Sequence, residues 1–201
     1  MAYIKDTAFE SRVTNNAFNR LANVTGLFKN AAGEDEICAA GFLCIRGAKL
    51  DNEGYVGRKN GNSREMKAAP VNTKVNIPIY ACNTYDTQEL TDELGNIYTV
   101  GSNILGLAVP AGVKATYTKI EFEGDKVYRF GAGLLTAAPA ADDPYFVIAD
   151  GRLTPANATE LAALANGVVY FDIDDTGKFD RGTRGAFDYY DLIPRYIVKG
   201  A

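Results

Sequence analysis

The chain has 201 residues, 47% of them hydrophobic, and a formal net charge of −4. That length and apolar content suit one domain with a real core and exclude wholesale disorder. The acidic balance gives no general attraction for nucleic acid or anionic lipid, and no apolar run approaches the roughly 20 residues needed to span a bilayer.

Residues 7 to about 25 read as a helix. Thr7, with Glu10 three positions on, has the form of a capping box. Phe9, Val13, Ala17 and Leu21 follow at a spacing of four as one apolar stripe, and Gly26 stands as the stop. This gives an N-terminal helical arm over residues 1–30, packed on its own domain or docked on a neighbouring subunit. A β-rich domain over 31–201 follows. The opening "MAYIKDTAFESRV" has no uninterrupted apolar stretch, so the expectation is a chain without a secretory signal, made and folded in a cytoplasm.

From residue 36 the period changes to two. "EICAAGFLCI" is apolar on both faces and reads as one central strand. Cys38 and Cys44 then share a face about 20 Å apart, at roughly 3.3 Å per residue. A disulfide needs Cα atoms about 4.4–6.8 Å apart, so the two are not expected to pair while the strand is unbroken. With Cys82 they make three cysteines, an odd number that argues against a disulfide scaffold. All three read as small buried hydrophobes. The polar stretch "DNEGYVGRKNGNSREMKAA" (51–69) reads as a long surface loop or mobile hairpin.

"KVNIPIYACN" (74–83) is a further strand, with Pro78 marking an edge or bulge. "NIYTVGSNILGLAVPAG" (96–112) holds one or two short strands. "KATYTKIEFEGDKVYRF" reads as a hairpin that turns at "EGDK". "PYFVIADGRL" gives a strand and a D-G turn. "LTPANATELAALANG" reads as a second helix, with Thr154 as N-cap, Pro155 at the first position and Gly167 as stop. "VVYFDI" and "RYIVKG" are late strands. The sum is a mainly β protein: a single β-sandwich or barrel-like domain with an N-terminal helix and one further short helix.

There is no histidine and no tryptophan. Without His there is no Ser-His-Asp or Cys-His machinery and no His-ligated metal. Missing Trp weakens a sugar-stacking reading. "GRKNGNSR" lacks the spacing of a phosphate-binding loop, and "GAGLL" lacks the third glycine of a dinucleotide fingerprint. Asp142–Asp143 reads as a polar turn, and Glu121 with Glu123 as a charged strand face, not as catalytic pairs. No catalytic residue and no cofactor is assigned.

The most site-like stretch is "FDIDDTGKFDRG" (171–182). Counted from Asp172, the glycine of a calcium loop falls at the required sixth position, but the twelfth residue is Thr183 instead of a bidentate acid. Val169, Phe171 and Ile173 alternate with Tyr170, Asp172 and Asp174, as in a strand entering an Asp-Thr-Gly turn. The turn is the leading reading. A calcium site built from Asp172, Asp174 and Asp180 is the alternative. A basic stretch (49–74) and an acidic stretch (172–191) on one chain could also meet between subunits, or be two solvated faces.

Together, the capped segment "MAYIKDTAFESRV", the Gly/Ala/Asn/Thr-rich β domain behind it and the long loop at 51–69 resemble small structural proteins of tailed bacteriophage particles, capsid decoration (cement) proteins above all. The resemblance implies a non-enzymatic virion protein on the outer face of the head. It implies a homo-oligomer, a trimer in the usual case, that bridges subunits of the major capsid protein without binding nucleic acid or membrane. On this reading Phe9, Val13 and Leu21 carry an arm contact, and Arg58, Lys59 and Arg64 a loop contact. A tail-tube or connector component is a close variant. The alternative from another class is a receptor- or glycan-binding β module using Tyr189, Tyr190 and Phe187.

Overall fold

Short apolar alternations punctuated by glycine give short strands, and the computed structural model is mainly β. It describes residues 9–12, 23–50, 63–82, 87–91, 97–101, 108–122, 126–140, 143–173, 182–184 and 187–199. In chain order the strands begin with β1 (Phe9–Arg12), β2 (Asn23–Phe28), β3 (Cys38–Ala39), β4 (Leu43–Lys49), β5 (Arg64–Ala68) and β6 (Ile79–Cys82). Then come β7 (Thr87–Thr91), β8 (Ile97–Gly101), β9 (Ala108–Val109), β10 (Lys114–Lys119) and β11 (Val127–Gly131). The last are β12 (Tyr145–Ala149), β13 (Arg152–Ala156), β14 (Val169–Ile173), β15 (Gly182–Arg184) and β16 (Phe187–Tyr196), with the short helix α1 (Ala158–Ala163) between β13 and β14.

Strands β10, β2, β5, β4 and β6 form a closed barrel in that order, sealed by the β6–β10 pairing. A second sheet runs β1-β11-β16-β14-β12-β13, with β15 also on β16, and curves as a half-barrel. The pairs β3–β9 and β7–β8 are separate two-stranded ribbons. Register fixes which side chains fill the barrel. Cys44 lies opposite Tyr80, Cys82 opposite Tyr117, and Phe28 opposite Met66; all six are buried. Alternation sends Leu43, Ala81 and Thr118 to the other face, where they too are buried. One apolar cluster runs from the barrel residues through Phe146, Ile148, Leu153 and Phe171 of the half-barrel.

The joint between the two sheets is the D-G turn. Asp150 and Gly151 are the two loop residues of the β12–β13 hairpin, closed by Ala149 opposite Arg152. Both have positive φ, +47° and +81°, as the twist of a two-residue hairpin requires. The tip is docked on the barrel. The Leu43 N–H donates to the Gly151 carbonyl at 2.8 Å, and the Gly151 N–H donates to the Ala69 carbonyl at 2.9 Å. The Phe42 ring packs so close that a Cβ at position 151 would lie 2.2 Å from its Cε1.

Several expectations are corrected. Residues 9–12 and 23–28 are strands, not a helix. Phe9 to Arg12 pair with β11, and Asn23 to Leu27 pair with β10. Gly26 is no helix stop; it leaves room for Met66, whose Cγ would lie 2.3 Å from a Cβ there. Residues 13–22 lie outside the described residues. "EICAAGFLCI" is not one strand, because Gly41 (φ +77°) turns the chain between β3 and β4. Residues 64–68, read as part of the long loop, are β5 inside the barrel, and 51–62 lie outside the described residues. The hairpin read over 114–130 does not form: β10 belongs to the barrel and β11 to the half-barrel. All five residues of β11 are buried, so it needs cover on both faces. The second helix starts later than read. Its N-cap is Asn157, whose side chain accepts from the Thr159 and Glu160 N–H groups in a capping box with Glu160, because Thr154 and Pro155 still pair with β12.

Gly151→Ala is expected to destabilise the protein by about 2–4 kcal/mol, from left-handed strain plus overpacking against Phe42. Asp150→Asn, in the same turn, is expected to stay within about 0.5 kcal/mol. Urea unfolding of both variants checks the contrast.

Candidate functional site

Two features outside ordinary packing stand out: a group of thiols inside the barrel, and an apolar edge where three segments run side by side. The strongest ionic interaction is neither. Arg129 and Asp191 face each other across β11 and β16 and meet as a fork, Nε to Oδ1 at 2.8 Å and Nη2 to Oδ2 at 2.7 Å. Both are buried, and the guanidinium lies 3.8 Å from the centroid of the Tyr189 ring. A buried acid and base so fully engaged with each other lock a sheet register; they have little left to offer a substrate.

The thiols come together because the strand breaks. The Gly41 N–H donates to the Cys82 carbonyl at 2.8 Å, and the Cys82 N–H donates to the Phe42 carbonyl at 3.0 Å. The turn thereby brings Cys38 back over β4 and β6. Cys38, Cys44, Cys82 and Tyr117 all belong to one buried cluster. All four residues are buried, and no cysteine is in a disulfide. The Tyr117 Oη is buried without a hydrogen-bond partner. Burial pushes the Cys38 thiol up, and the neighbouring Cys44, Cys82 and Tyr117 groups together bring it down, to about 5. Burial, then contact with Cys38, holds Cys44 well above the ordinary thiol range. Contact with Cys38, then burial, does the same to Cys82.

The apolar edge is built on the backbone of residues 167–169. The Val169 N–H donates to the Thr73 carbonyl and the Val75 N–H to the Gly167 carbonyl, each at 2.9 Å. On the other side the Gly167 N–H donates to Ile197 at 2.8 Å and the Ile197 N–H to Val168 at 2.9 Å. The flanking segments leave Val71 54%, Ile77 38%, Tyr196 43% and Val198 76% exposed. Phe122 packs edge-on against Tyr196, with centroids 6.3 Å apart. The exposed cations Lys74, Arg195 and Lys199 belong to the same segments.

The sequence-derived candidates are dispersed. Phe9 lies in β1, with its side chain outside the described residues; Val13, Leu21, Arg58 and Lys59 lie wholly outside them. Arg64 opens β5, half-buried, opposite Lys49 and Gly26. Asp172 sits in β14, half-buried, between Tyr145 and Ile193, while Asp174 and Asp180 lie outside the described residues. Among the described residues, no group of three or more His, Cys, Asp or Glu is arranged to hold a metal ion, and no helix is long and apolar enough to cross a membrane. Asp143 caps its own turn by accepting from the Ala140 N–H, and Glu121 pairs with Lys126. Tyr189 lies under Arg129, and Tyr190 packs on Phe146; both are half-buried. Comparison with family models, curated proteins and solved structures gives no match.

Sequence reasoning missed the thiol group by reading through Gly41, although a glycine inside an apolar run is itself a break signal. It missed the edge because Val71 and Ile77 lie more than a hundred positions from Tyr196 and Val198 in the chain. Asp191→Ala is expected to cost about 3–5 kcal/mol by leaving Arg129 buried and unpaired. The double change Arg129→Met with Asp191→Leu is expected to cost less than that single one. Thermal and denaturant unfolding measure both.

Proposed function

We propose that this chain is a non-enzymatic structural protein of a tailed-bacteriophage particle, of the capsid decoration type, acting by surface burial against neighbouring subunits. The observation that supports this best is the exposed edge formed by Val71, Ile77, Tyr196 and Val198. It rests on backbone hydrogen bonds to residues 167–169, which tie the segments carrying these apolar side chains to one another. Exposed apolar groups on paired segments are the kind of surface that contact sites use, and the exposed Lys74, Arg195 and Lys199 add positive charge beside them. The matching partner is an apolar patch with acidic residues around it, on the coat subunit or on a second copy of this chain. Binding to the assembled state alone stabilises that state by mass action. The trimer implied by the resemblance is the oligomer proposed.

The test is capture on assembled coat shells that lack the protein, with solution mass from light scattering alongside. Saturable capture with a discrete oligomer is expected. Val198→Asp together with Ile77→Asp is expected to weaken capture at least tenfold while leaving the circular dichroism spectrum unchanged, since both side chains are exposed. A protein that neither self-associates nor binds shells would sink the reading.

A further inference from the structure

We propose that the apolar edge docks on a second patch of this same protein, carried by residues 29–37 and 110–114, so that copies of the chain associate head to tail. The inference deepens the function proposed above by naming a second copy as the partner of the edge, and it rests on that edge being a contact surface.

The second patch is built by two segments that run side by side. Cys38 pairs with Val109, and a Cβ at Gly112 would lie 3.4 Å from Asp35 Oδ2. Just before Cys38, Ile37 is 38% exposed; just before β10, Val113 is 41% exposed. The turn between β2 and β3 is held from within. The Asn30 N–H donates to the Glu34 carbonyl at 2.9 Å, and the Glu34 N–H donates to Asn30 Oδ1 at 2.9 Å. Exposed apolar groups therefore stand here, as on the edge, on segments bonded to their neighbours.

The charges of the two patches are opposite in sign. The edge segments 70–78, 165–170 and 194–199 contain Lys74, Arg195 and Lys199 and no acid. Residues 29–37 and 110–114 contain Glu34, Asp35 and Glu36 against Lys29 and Lys114, with Lys29 bound to Asp35 at 2.5 Å. An edge on an edge sets cations against cations. An edge on the turn sets them against an excess of acid.

The barrel holds the two patches apart. β10 begins beside Val113, where Lys114 lies opposite Leu27. It ends at Lys119, opposite Tyr80, roughly 17 Å away at about 3.3 Å per residue. There the Ile120 N–H donates to the Ile79 carbonyl at 2.8 Å, two residues from Ile77, and Phe122 meets Tyr196. Val113 and the Ile77–Tyr196 part of the edge thus lie at opposite ends of one strand, and one molecule offers them to different neighbours. A contact between two unlike patches repeats from copy to copy. It closes as a ring, such as the trimer proposed above, or runs on as a filament.

The experiment measures solution mass by sedimentation over a range of concentrations. It compares wild type with an edge variant, Ile77→Asp with Val198→Asp, and a turn variant, Glu34→Lys with Val113→Lys. All four side chains are exposed, and circular dichroism checks that the fold is kept. Expected is self-association of wild type, weakened at least tenfold in each variant alone. Mixing the two variants is expected to restore a complex containing both, because each brings the patch that the other lacks. A turn variant that associates like wild type would overturn the proposal, as would folded variants that stay apart when mixed. Monomeric wild type would overturn it too; if that monomer is still captured by coat shells, the function proposed above stands and this inference alone is lost.

Discussion

The docking of one hairpin tip onto the barrel is the constraint from which much of the structure follows. Gly151 bonds to the backbone on both sides, to Leu43 and to Ala69, and the Phe42 ring packs where a Cβ of residue 151 would stand. Phe42 also meets Phe28 edge-on at 5.4 Å, so one ring joins the barrel filling to the second sheet. A chain obliged to place Phe42 there cannot run straight from residue 36 to 45. It turns at Gly41, and that turn returns Cys38 to the barrel. The burial of all three cysteines in one cluster thus follows from how two sheets are joined, a relation that no local pattern encodes.

What was legible followed from local chemistry that tertiary structure did not oppose. The D-G turn, the strand at 169–173, the short helix and the β-rich class were all readable, because turn residues and alternation agreed with the final pairing. The failures share one cause. Thr7 and Glu10 look like a capping box, yet Phe9 pairs with Phe130, 121 positions further along the chain. "EGDK" looks like a hairpin turn, yet β11 carries Arg129, whose partner Asp191 lies 62 residues on. A buried guanidinium without that carboxylate costs far more than a good turn returns. Patterns of period two state that a strand exists; they do not state which sheet receives it. The apolar edge was hidden for the same reason, its residues being united by pairing across about a hundred positions.

The chemistry-bearing residues divide by depth. Inside, Arg129 and Asp191 neutralise each other, Tyr128 accepts from the Glu121 N–H at 3.0 Å, and the Cys38 and Cys44 thiols donate to the backbone carbonyls of Ala39 and Phe42. At the surface the edge at 167–169 presents apolar groups with cations beside them. Polar groups buried in pairs keep the two sheets in a single arrangement, and the shape so fixed holds exposed valines and a tyrosine where water alone would not favour them.

The pairing of the earliest strands with late ones also dictates when the fold can form. β2 is joined to β10, with Val24 opposite Tyr117, and β1 is joined to β11. Neither the barrel nor the outer edge of the half-barrel can close until the chain beyond residue 114 has been made. Such non-local topologies fold slowly, because loop entropy is lost before the contacts that repay it exist. A nascent chain stopped before that point keeps the edges of β2 and β6 open to any other strand. During synthesis, then, the stretch from Lys114 to Gly131 separates an edge-exposed, aggregation-prone chain from one whose barrel can close.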